Sequence, residues 1–166
     1  MADLAVKEEP IKAPSEKVSR VLFVCTGNTC RSPMAAALCN HKYGDMGICA
    51  ASAGLYATEG APITKNAADA LAAAGVVPND TNNYPAHRAH TVTRADIERA
   101  DRVIGISASH TLELMLRFPD CAAKMEAMPM DIADPYGGDA ATYRACLAEI
   151  GYSLALLFAD TTGGKL

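Results

Sequence analysis

Nowhere do lysines and arginines gather into a run, and the net charge of −4 is mild. That balance argues against nucleic acid or anionic lipid as the principal partner. The opening Met1–Pro10 has no apolar core of the kind a secretion signal carries, and no later apolar run is long enough to cross a bilayer. A cytoplasmic protein is therefore expected, with no membrane partner. Internal repeats and low-complexity segments are missing too, which leaves solenoids and arrays without support. The 166 residues, half of them hydrophobic, suit one domain with its own core.

Six cysteines stand at irregular spacings, at 25, 30, 39, 49, 121 and 146. A disulfide scaffold is usually shorter and richer in Cys. Four of the six, Cys39, Cys49, Cys121 and Cys146, lie in apolar stretches and read as reduced, buried residues.

Residues 1–18 are charged and carry Pro10 and Pro14, so a flexible tail is expected there, followed by one domain over 19–166. The run Arg20-Val21-Leu22-Phe23-Val24-Cys25 fits a strand buried on both faces. A turn with Gly27 follows, and Pro33 fits the first position of a helix that stops near Gly44. A second strand is expected over 48–52, and a helix after Pro62 that Gly75 ends. Residues 76–92 read as loop. Thr93 and Asp96 form a capping box for a short helix over 94–100. A third strand is expected over 102–106, a helix over 111–118 stopped by Pro119, and a fourth strand over 124–128. The last helix, about 140–158, carries an apolar stripe of Tyr143, Cys146, Leu147, Ile150, Leu154, Leu157 and Phe158. Strands alternating with helices predict an α/β single-domain three-layer fold, with a four-stranded parallel sheet and helices on both faces.

The most informative segment is Cys25-Thr26-Gly27-Asn28-Thr29-Cys30-Arg31-Ser32. It puts a thiol at the C-terminal end of a strand and an arginine at the start of a helix, the edge where open α/β sheets bind ligands. Unpaired N–H groups at a helix start make an anion site. A thiol attacks as thiolate, and the loop amides, the helix start and Arg31 all favour that form. Arg31 can bind two phosphoryl oxygens in a fork. Gly27 and Asn28 both tolerate a positive φ, which would turn the N–H groups inward. The Ser32 hydroxyl can bond Cys25 and stabilise the sulfur as a leaving group.

Other readings of the loop fit less well. The Gly-Lys-Ser/Thr ending of a nucleotide-binding loop is absent. A zinc site from Cys25, Cys30, Cys39 and His41 matches no common knuckle, so no metal and no cofactor are expected. A merely structural turn would leave Arg31 buried without a partner. For the proton that a leaving group needs, Asp134-Pro135-Tyr136-Gly137-Gly138 offers a carboxylic acid in a stiffened loop. By itself that segment reads equally well as a plain turn.

Taken together, the Cys-x5-Arg-Ser loop, the Asp-Pro before the last helix, Ser52-Ala53-Gly54 and His87 resemble the low-molecular-weight protein tyrosine phosphatases, over roughly residues 20–160. The resemblance implies hydrolysis of phosphorylated protein side chains, without metal, by a monomer. Cys25 would be the nucleophile and Asp134 the general acid and base. Thr26, Gly27, Asn28, Thr29, Cys30, Arg31 and Ser32 would hold the phosphate, with Asn28, Ser32, Ser52 and His87 as a network that fixes the loop. His90 departs from the pattern, because many relatives carry arginine there; the tail is an addition.

Within the family, Thr29 and the Asp-Pro-aromatic-Gly-Gly segment are similar to the bacterial protein arginine phosphatases. Phosphotyrosine branches usually place a larger aliphatic residue at the position of Thr29. Thr29 and Tyr136 would wall the substrate pocket, and Cys30 would be a resolving thiol under oxidation. A thiol-linked arsenate reductase shares the fold and loop, but the segment Ile106–His110 lacks the cysteines that such chemistry relays to.

Overall fold

The computed structural model of the chain describes residues 19–159; the tail expected at 1–18 lies outside the described residues. Four parallel strands form one sheet: β1 (Ser19–Cys25), β2 (Ile48–Gly54), β3 (Arg102–Gly105) and β4 (Met125–Ala127), in the order β2-β1-β3-β4. The run from Val21 to Cys25 is buried throughout because β1 is an inner strand covered on both faces.

Side chains of a strand alternate between faces, and those of β1 divide accordingly. Val21, Phe23 and Cys25 join a core with α1 (Arg31–Tyr43), α2 (Lys65–Ala73) and α5 (Ala140–Leu157), through Met34, Leu38, Leu71, Ile150 and Leu154. Leu22 and Val24 join a second core with α3 (Arg94–Arg99) and α4 (Ala108–Arg117), through Ile97 and Leu114. The architecture is thus the expected three layers. The stripe on α5 is buried as expected except at Leu157, which is half-buried.

Differences from the sequence reading have local causes. α1 starts at Arg31, so Pro33 is its third residue and not its first. Proline costs nothing there, since the first-turn N–H groups have no helical partner anyway. α4 starts at Ala108, three residues early, because Ser107 caps it with His110 as the reciprocal partner. Histidine is not the Glu or Gln that marks a capping box in sequence.

Two of the four cysteines expected in the core are elsewhere. Cys39 and Cys146 are buried, while Cys49 is exposed and Cys121 half-buried. β2 is an edge strand: Ile48 and Ala50 face α1, and Cys49 and Ala51 face outward. Cys121 sits on a 3-10 turn (Pro119–Lys124) at the margin of the second core. Burial pushes the thiol pKa of both Cys39 and Cys146 up to about 12, so neither is a nucleophile at neutral pH.

Candidate active site

β1 ends at Cys25 and α1 begins at Arg31, so the loop between them crosses the C-terminal edge of the sheet. Among the described residues, none accepts a hydrogen bond from the backbone N–H groups of Gly27 to Ser32. These amides are left for an anion, as a helix start provides. The left-handed residue is Asn28 at φ 59°; Gly27 does not adopt positive φ, contrary to expectation. Asparagine tolerates that region better than most residues, and its side chain is tied down as well.

Asn28 is fully buried, with its side chain and its carbonyl oxygen engaged in hydrogen bonds. Its Nδ2 donates to Ser32 Oγ at 2.8 Å and to Ser52 Oγ at 3.0 Å. Its Oδ1 accepts from the His90 backbone N–H, and its carbonyl oxygen accepts from His87 Nε2–H at 2.7 Å. Burial lowers the His87 pKa, keeping the imidazole neutral with its proton on Nε2. The four residues implied as a network therefore meet. His90 meets them too, through its backbone, while its Nε2–H donates to Asp96 Oδ2 at the cap of α3.

Ser32 Oγ lies 2.9 Å from Cys25 Sγ. Cys30 Sγ is 3.3 Å from the Tyr143 hydroxyl and 3.5 Å from Thr64 Oγ1, which ties the loop to α5 and to the cap of α2. Gly54 lets β2 pass close beneath: a Cβ there would stand 2.7 Å from the Thr26 carbonyl oxygen.

The acid loop comes over from β4. Arg31 is buried, its Nη1 donates to the Ile132 carbonyl oxygen at 3.0 Å, and its Nη2 lies 3.7 Å from Asp134 Oδ2. Arg31 thus has the partner that a purely structural turn would deny it. The Asp134 carboxylate is half in solvent and accepts from the Tyr136 N–H. A cavity of about 200 Å³ is lined by Cys25, Thr26, Gly27, Asn28, Thr29, Cys30, Arg31, Asp134 and Tyr136. A nucleophile, an arginine fork, free amides and an exposed carboxylic acid therefore share one opening. The zinc reading does not gather: no group of three or more His, Cys, Asp or Glu side chains among the described residues could hold a metal.

The family model described as low molecular weight phosphotyrosine protein phosphatase matches residues 20–163. The chain belongs to this family. It is a phosphatase by descent, and relatives come from both branches that the loop resembles. A protein-arginine-phosphatase of Geobacillus stearothermophilus is 37% identical over 79% of this chain and 88% of its own. A probable low molecular weight protein-tyrosine-phosphatase, EpsP of Ralstonia nicotianae, is 32% identical over 72% of this chain and 79% of its own. Among solved structures, the YwlE arginine phosphatase from Geobacillus stearothermophilus superposes with a TM-score of 0.78 at 34% identity, covering 89% of this chain and 95% of that one. These relatives are named phosphatases, and the arsenate reductase alternative gains no support from them.

One residue of this phosphatase site was missed in the sequence. His110 is buried and its Nε2 lies 2.9 Å from Thr26 Oγ1, across 84 positions of chain. Its only sequence signal is Ser107 three residues earlier, once histidine is admitted to the capping box.

Proposed function

We propose that this phosphatase removes phosphate from protein side chains through a cysteinyl-phosphate, and that phosphoarginine is the preferred substrate. Cys25 Sγ attacks phosphorus as the bond to the leaving nitrogen breaks, and Asp134 gives that nitrogen its proton. Asp134 then takes a proton from water, the water oxygen bonds to phosphorus, and the sulfur leaves as thiolate with a hydrogen bond from Ser32. Arg31 and the loop amides hold the phosphoryl oxygens in both steps, where charge builds.

The observation that carries the substrate preference is Thr29. It is half-buried and lines the same cavity as the nucleophile and Tyr136. A threonine makes a smaller, partly polar wall, better matched to a guanidinium than to a phenyl face. The exposed Tyr136 ring can stack on either group. The 37% identical relative named a protein-arginine-phosphatase supports the same reading. Six unpaired thiols support a reducing compartment, the cytoplasm.

The deciding measurement is kcat/KM on one peptide phosphorylated on arginine and on its phosphotyrosine counterpart, for wild type and Thr29→Ile. Wild type should favour phosphoarginine, and Thr29→Ile should move the ratio toward phosphotyrosine by about 10–200-fold. A wild type that favours phosphotyrosine, with a ratio unmoved by the substitution, returns the chain to the tyrosine phosphatase reading.

A further inference from the structure

The phosphate loop has a second support that the network around Asn28 does not include. It runs from the first turn of α4 to Thr26, the residue after the nucleophile. The Ser107 backbone N–H donates to His110 Nδ1 at 3.1 Å, and the Ser107 hydroxyl lies 2.8 Å from the same nitrogen. A backbone N–H can only donate, so Nδ1 is the acceptor. In a neutral imidazole the other nitrogen then carries the proton. His110 Nε2–H therefore donates to Thr26 Oγ1 at 2.9 Å. Burial, and after it the charge of Arg31, push the His110 pKa down to about 4, so the ring is neutral near pH 7.

That polarity has a consequence for Thr26. Its hydroxyl oxygen already accepts from His110, so its own proton must go elsewhere. Among the described residues no other group bonds Thr26 Oγ1. The backbone of Thr26 is held as well, its carbonyl oxygen accepting from the Tyr56 N–H at 2.9 Å. Thr26 is exposed, and it lines the cavity with Cys25, Arg31 and Asp134. We propose that Ser107 N–H, His110 and the Thr26 hydroxyl form a directed relay that makes Thr26 a hydrogen-bond donor to the phosphoryl group in the cavity. Thr26 is then a binding residue, and His110 a positioning residue that fixes which way the hydroxyl points. The proposal rests on the phosphatase reading of the site.

A plainer role for His110, capping α4 alone, is separable by side-chain geometry. Asparagine at 110 places an acceptor near the position of Nδ1 and nothing at Nε2; glutamine places a donor near Nε2. The experiment measures orthophosphate affinity by calorimetry, kcat and KM on nitrophenyl phosphate, and Tm. The variants are Thr26→Val, Thr26→Ser, His110→Asn, His110→Gln and the double variant Thr26→Val/His110→Asn.

Thr26→Val should weaken orthophosphate binding on the order of 10-fold, the scale of one hydrogen bond to a charged group. Thr26→Ser should restore it. His110→Asn should lose a similar factor with Tm near that of wild type, and the double variant should be no worse than either single one. His110→Gln should bind phosphate more tightly than His110→Asn, with a lower Tm. Thr26→Val binding orthophosphate as wild type does would overturn the relay, as would losses that multiply in the double variant. Wild type that binds orthophosphate but hydrolyses no phosphoester would sink the enzyme reading and leave the binding series to decide the relay. Failure of wild type to bind orthophosphate at all would refute both.

Discussion

Replacing Ser32 with alanine removes one oxygen atom and, by this geometry, slows one step of the reaction more than the other. Asn28 Nδ2 donates to Ser32 Oγ at 2.8 Å, so the Ser32 proton must point elsewhere. Its two options are Cys25 Sγ at 2.9 Å and the Ala53 carbonyl oxygen at 3.3 Å. The shorter contact and the charge of a thiolate select the sulfur. Ser32 is fully buried, so water cannot take over the bond once the hydroxyl is gone. A hydrogen bond to a charged group contributes ~1.5–3 kcal/mol, and each ~1.4 kcal/mol is tenfold in rate. Breakdown of the cysteinyl-phosphate, in which the thiolate leaves, should therefore slow by about 10–150-fold. The attack step loses less, because a hydroxyl that stabilises the thiolate also blunts its nucleophilicity.

The two steps separate in stopped-flow hydrolysis of nitrophenyl phosphate. Ser32→Ala should release one nitrophenolate per site in a burst, then turn over slowly. Asn28 keeps Ser52 as one acceptor but its other N–H is left unpaired in the interior, so the loss of stability should be about 1–3 kcal/mol, several degrees in Tm. Linear progress curves with kcat within about twofold of wild type, well under the loss of one such bond, would refute the assignment of Ser32 to the sulfur.

Three further outcomes follow from the same site. Asp134→Ala should cost about 10²–10⁴-fold on substrates with basic leaving groups and far less on nitrophenyl phosphate; equal losses on both would remove Asp134 as the acid. Mild peroxide should inactivate reversibly by oxidising Cys25 to a sulfenic acid, which Cys30 displaces with loss of water to give a disulfide; mass mapping that finds only sulfinic or sulfonic acid at Cys25 denies Cys30 that role. Folding holds the His110 pKa at about 4 against an ordinary 6.5, so the unfolded chain binds the extra proton first, and stability is full above about pH 6.5 and lost as pH falls toward 4. At ~1.4 kcal/mol per pKa unit this amounts to about 3 kcal/mol. The lowered pKa of His87 acts in the same direction, so the comparison is the urea midpoint against pH for wild type and His110→Asn. Equal acid sensitivity in the two would count against a buried neutral His110.

What could be read from the chain was what lies close together along it. The strand at 20–25, the turn and the helix after it are neighbours in sequence, and so are Thr93 and Asp96 in their capping box. Burial of Cys49 was misjudged because it depends on strand order, which is a property of pairing and not of the segment Ile48-Cys49-Ala50. His110 was missed for a different reason. A histidine near a serine carries no signal until the strands on which both loops end are placed side by side.

The arrangement of the site follows from one property of a parallel sheet: all strands end at the same edge. β1 delivers Cys25 and the phosphate loop there, β2 delivers Ser52 and Gly54, β3 leads into Ser107 and His110, and β4 leads into the loop of Ile132 and Asp134. Three contacts across the site join two of these ends: Asn28 to Ser52, Thr26 to His110, Arg31 to Ile132. β3 lies between β1 and β4, so α4, which follows it, is placed to feel both the phosphate loop and the acid loop. It touches the first through His110 and the second through Asp131, whose Oδ1 accepts from the Ala108 N–H. A nucleophile and an acid carried by separate loops need a common reference to stay in register through two steps. The first turn of α4, held by its own capping box, is one part of this fold that both loops contact, as α5 is through Tyr143 and Cys146.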